Sequence, residues 1–114
     1  MKRIQGWGNI ETDYPVPEPA RKYLASVVGQ PLELRNAPIE SLIQKVPHSQ
    51  LPDHRLITTD AEDRLRHSRG QSLNDWIDMC DGLVDTFPDG VAYPTSDADV
   101  RDLIAYAKTY KINL

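Results

Sequence analysis

Apolar residues recur at helical spacing along much of this chain. Ala20, Tyr23, Leu24, Val27 and Val28 fall at i, i+3, i+4, i+7 and i+8, which makes one stripe on a helix. Pro19 suits the first turn of that helix, where its missing N–H costs nothing, and Gly29 is placed to cap the end. Ile39, Leu42, Ile43 and Val46 repeat at the same spacing and predict a short second helix. Pro47 and Pro52 then fence a loop, within a stretch from 30 to 57 where the signals are weakest. A third helix is expected to start at Thr59, whose hydroxyl would cap while Glu62 reaches back, and to end by Gly70. Ser72 with Asp75 three residues on predicts the cap of a fourth, with Leu73, Trp76, Ile77 and Cys80 as its buried stripe and Gly82 as its stop.

The pattern then changes period. Asp85 to Gly90 is a turn, and Val91-Ala92-Tyr93 is a short strand stopped by Pro94. The best-signalled helix follows. Ser96 caps it with Asp99 three residues later, and Val100, Leu103, Ile104 and Ala107 form its apolar face. Asp97 and Asp99 sit at its positive end, Lys108 and Lys111 at its negative end. Ile112-Asn113-Leu114 looks like the opening of a second strand. A strand–helix–strand unit normally belongs to a parallel sheet, and two short strands cannot make a stable sheet alone. The expectation is an α+β chain, mostly helical at first. It would lead into the start of a parallel sheet whose remaining strands lie beyond Leu114. An independent helical module, with the last helix packed on helices 19–28 and 72–81, is the competing arrangement.

Composition narrows the classes. The chain has 114 residues and 12.9 kDa, of which 39% are hydrophobic and 26% charged, as in a globular domain. Most of its nine prolines precede residue 53, so that half is expected to hold short elements joined by extended connections. A net charge of -4 argues against a nucleic-acid partner. The basic stretch Arg64-Leu65-Arg66-His67-Ser68-Arg69 follows Asp60, Glu62 and Asp63, an order that suits a solvated helix end. The lone Cys80 excludes an internal disulfide and fits a reducing compartment. Without an apolar run of about 18 residues or a signal-peptide core, the expected location is cytoplasmic, with no transmembrane segment.

Candidate chemistry is sparse. Cys80 lies on an apolar stripe with no base near it in sequence, as a core thiol would. His48, His54 and His67 lack metal-ligand spacing. Ser68 beside His67 is no triad, because adjacent helical residues point apart. Asp60, Glu62 and Asp63 are acids of a first helical turn. Trp7, between Gly6 and Gly8, is expected to pack against the body of the protein. No catalytic or metal-binding residue is assigned. Tyr93 and Pro94 stand at the C-terminal end of the predicted strand, the edge where α/β sheets usually bind ligands, and are the one candidate contact.

The chain also resembles a known family. Asp63-Arg64 with Ser68 and Gly70, Ser72-Leu73, Phe87-Pro88-Asp89-Gly90-Val91, Pro94-Thr95 and the segment from Val100 through Ala107 are similar to the entry into FAD-linked oxidases of the vanillyl-alcohol oxidase type, with their PCMH-type FAD-binding domain. Gly6-Trp7-Gly8, ahead of a helix ending in Gly29, brings the resemblance closest to the alkyldihydroxyacetonephosphate synthase branch. The likeness covers residues 3–29 and, more closely, 59–114. It implies a cap segment over residues 1–58, and over 59–114 a helical lead-in and the incomplete start of an FAD-binding domain. In such proteins an amide-rich glycine turn that holds the FAD pyrophosphate follows the second strand, and the catalytic residues lie further on. The resemblance therefore implies a flavoenzyme segment that is structural here. What it carries over is a structural role, residues 91–93 as the first strand and 96–111 as the first helix of that domain. Tyr93 and Pro94 at the strand end are the candidate FAD contacts, the rest of the FAD domain the partner, and a small molecule the substrate of the whole. An oligomer is left open. The alternatives it leaves are a 2-hydroxyacid (D-lactate or glycolate type) dehydrogenase segment and a stand-alone helical interaction domain.

Overall fold

The computed structural model describes residues 1–33 and 35–114. In chain order it contains α1 (Glu18–Val28), α2 (Ile39–Ile43), β1 (Ile57–Thr58), α3 (Ala61–Arg66), α4 (Leu73–Asp81), β2 (Val91–Ala92) and α5 (Asp97–Tyr110). The fold is α+β: five helices and, among the described residues, one two-stranded antiparallel sheet. No helix among them is long and apolar enough to cross a membrane. The chain forms two compact units, Met1–Leu42 with Arg69–Asp85, and Ile43–Ser68 with Thr86–Leu114.

The first unit is built around the N-terminal turn and α4. Ile10 N–H donates to the Met1 carbonyl at 2.9 Å and Arg3 N–H to that of Gly8 at 3.0 Å, so the opening residues double back on themselves. The Gln5 amide then donates to the carbonyls of Ala37 (2.9 Å) and Met79 (3.2 Å), tying this turn to α4 and to the segment before α2. Ile4, Leu42, Met79, Cys80 and Val84 are the buried apolar residues of the unit. Ser72 and Asp75 form the expected capping box, and Gly82 stops α4 in the left-handed conformation that glycine adopts without steric cost.

Two apolar stripes in this unit are not buried as expected. Leu73 and Ile77 of α4 are exposed; of the expected stripe Cys80 is buried, and Met79 is buried beside it. The helix α1 forms where predicted, with proline in its first turn and Gly29 N–H donating to Ala25, yet it buries no residue. Tyr23, Leu24, Val27 and Val28 all face outward. Periodicity fixes which residues share a face; whether a neighbour covers that face is a tertiary fact.

The second unit holds the sheet. Ile57 opposes Ala92 and Thr58 opposes Val91. The sequence reading paired residues 91–93 with 112–114 in parallel, and this is corrected: β2 stops at Ala92, its partner is β1, and 112–114 are not a strand. The close approach depends on Gly90. A Cβ there would come within 2.7 Å of both Ile57 Cγ2 and Leu51 Cδ1 and 3.2 Å of the Thr58 carbonyl, so only glycine lets the turn lie against β1. Two further corrections concern α3. Its cap is Asp60, not Thr59, with the carboxylate accepting from the Glu62 and Asp63 N–H groups at 2.9 and 3.1 Å. Arg64, expected in solvent, is 2% exposed. Its Nε donates to the Pro88 carbonyl (2.7 Å) and its Nη1 to that of Pro47 (2.6 Å), so it pins the proline loop to the turn before β2.

Helix α5 starts as predicted, with Ser96 Oγ accepting from Asp99 N–H. Its buried side is Asp99, Leu103, Tyr106 and Ala107, while Val100 and Ile104, expected on the apolar face, are exposed. Lys111 ends it in the left-handed conformation (φ 56°) and Ile112 N–H donates back to Ala107.

Candidate functional site

The strand β2 delivers Tyr93 and Pro94 to its C-terminal end. Proline has no N–H for a ladder, so the backbone leaves the sheet there, and the Tyr93 ring stands 53% exposed. It meets the C-terminal end of α3. The His67 ring lies edge-on to Tyr93, with centroids 5.8 Å apart and planes at 75°. His67 Nδ1 is 2.8 Å from the Asp63 carbonyl oxygen. A carbonyl only accepts, so in the neutral ring the proton is on Nδ1 and the Nε2 lone pair is left outward.

Loss of solvent around the ring, followed by the charge of Asp63 and a hydrogen bond to its carboxylate, pushes the Tyr93 phenol above its ordinary pKa; Arg66 pulls weakly the other way. A phenol so placed stays protonated near neutral pH and acts as a hydrogen-bond donor with an exposed aromatic face. Arg66 is committed to Glu62 through Nε at 3.0 Å and Nη2 at 2.6 Å. The surroundings of Tyr93 therefore suit a neutral, planar part of a ligand better than a phosphate. They supply a stacking surface, with the phenol proton turned to Asp63 and the His67 ring beside it.

Behind this edge runs a groove of about 600 Å³ between β2, α5 and the last residues of the chain. Ile57, Gly90, Ala92, Leu103 and Tyr106 form much of its wall, with residues 111–114 along one side. Its only charged lining residues are Asp89 and Lys111. The lip of the sheet is held by side chains reaching α5. Arg55 Nη2 donates to Asp99 Oδ1 and Asp102 Oδ2, both at 3.0 Å, and the Tyr106 hydroxyl donates to the Pro52 carbonyl at 2.5 Å. His54 lies 3.5 Å from Asp102 and 4.7 Å, ring to ring, from Tyr106. The Asp99 carboxyl is held down at about 2, first by the Thr95 N–H and next by Arg55.

No family model, curated protein or solved structure matches this chain. The site therefore rests on its own geometry. The other sequence candidates lie apart from it or are spoken for. Cys80 is buried, its Sγ 3.9 Å from the Gln5 carbonyl, and burial pushes its thiol up. Trp7 touches Trp76 edge-on at 6.0 Å and donates to the Gln71 carbonyl at 3.3 Å, yet remains 61% exposed, so its packing is partial. His48 is exposed, and no cluster of three or more His, Cys, Asp or Glu suited to a metal occurs among the described residues. What the sequence missed is the partnership of His67 and Asp63 with Tyr93. Nothing in local spacing joins residues that far apart; their register is set by the pairing of β1 with β2.

Proposed function

We propose that this chain is the structural N-terminal part of an FAD-dependent flavoenzyme resembling the alkyldihydroxyacetonephosphate synthases. In this reading β2 and α5 begin the FAD-binding domain, and Tyr93 and Pro94 touch the nucleotide at the strand end. The remainder of that domain fills the groove beside β2. The observation that carries the proposal is this groove. It is lined mainly by apolar residues, it runs along a two-residue strand too short to be a sheet by itself, and a well-capped helix lies over it.

The residues near Tyr93 can be tested against FAD by their chemistry. Asp63 carries negative charge beside the phenol and Arg66 is paired with Glu62, so a pyrophosphate is disfavoured there. The exposed phenol face fits an uncharged ring of the nucleotide. The chain would thus orient FAD from one side, while an amide-rich turn elsewhere holds the phosphates. Bound FAD would supply the redox or transfer chemistry, and this segment would supply none of the reacting groups.

Added to this chain alone, FAD is expected to give no saturable change in flavin fluorescence. Within the whole flavoenzyme, Tyr93→Ala is expected to weaken FAD roughly 3- to 10-fold, the worth of one aromatic contact. A full protein carrying this segment that purifies without flavin and takes none up from solution would sink the proposal.

A further inference from the structure

We draw no further inference here: the strongest candidate, the outward apolar face of α1 formed by Tyr23, Leu24, Val27 and Val28, carries nothing because nothing in the structure shows what covers it.

Discussion

Arg64 shows how far a residue's role can stand from its sequence setting. Among alternating acids and bases it looks like any helix-end charge, but its guanidinium satisfies the carbonyls of two proline-containing segments. Replacing it with leucine leaves both carbonyls without that donor inside the unit. The expected cost is about 3 kcal/mol, seen as a lower urea midpoint with an unchanged slope. Gly90 is constrained from the opposite direction, by contacts a methyl group cannot make. Gly90→Ala is expected to cost roughly 1–3 kcal/mol through overpacking against Ile57 and Leu51, measurable in the same titration. Asp99 adds a pH dependence. Its carboxyl, held at about 2 against an ordinary 3.8, favours the folded state fully above pH 3.8. That contribution is lost as pH falls from about 4 to about 2. In Asp99→Asn the corresponding slope of stability against pH is expected to flatten over that window.

At the scale of elements, local signals performed unevenly, and the reason differs from case to case. The caps of α4 and α5 were legible because a capping interaction involves residues three apart in sequence, and the backbone geometry of a helix start brings them together. Ser72→Ala is expected to cost about 1 kcal/mol, and circular dichroism melting would register it as a small drop in Tm. The strand β1 was not legible: two residues carry no periodicity, and Ile57–Thr58 becomes a strand only because β2 lies beside it. The cap of α3 moved by one residue, from Thr59 to Asp60, since a carboxylate accepts two N–H groups at once. Helix α1 poses the sharpest contrast. Its pattern is strong and its burial nil, and isolated helices of 11 residues are marginal in water. Amide hydrogen exchange is expected to be fast throughout α1 and slow in the inner turns of α5, which buries Leu103, Tyr106 and Ala107. Slow exchange in α1 would mean that its apolar face is covered in solution.

For the molecule as a whole, each unit has its own buried cluster, and the candidate site belongs entirely to the second. Tyr93 and Pro94 were singled out by position alone, at the end of a predicted strand, and both are exposed. Their neighbours His67 and Asp63 come from α3, whose place against β2 no local rule supplies. Hydrophobic spacing, capping pairs and turn residues are interactions among near neighbours along the chain, so the sequence determined the bounds of α1, α4 and α5 to within a residue or two and the turn before Val91. Which apolar stripes are covered, which strand pairs with which, and why one arginine lies inside depend on contacts between residues far apart in sequence. Those contacts are chosen by shape and by the need to satisfy buried polar groups, and only the tertiary structure decides them.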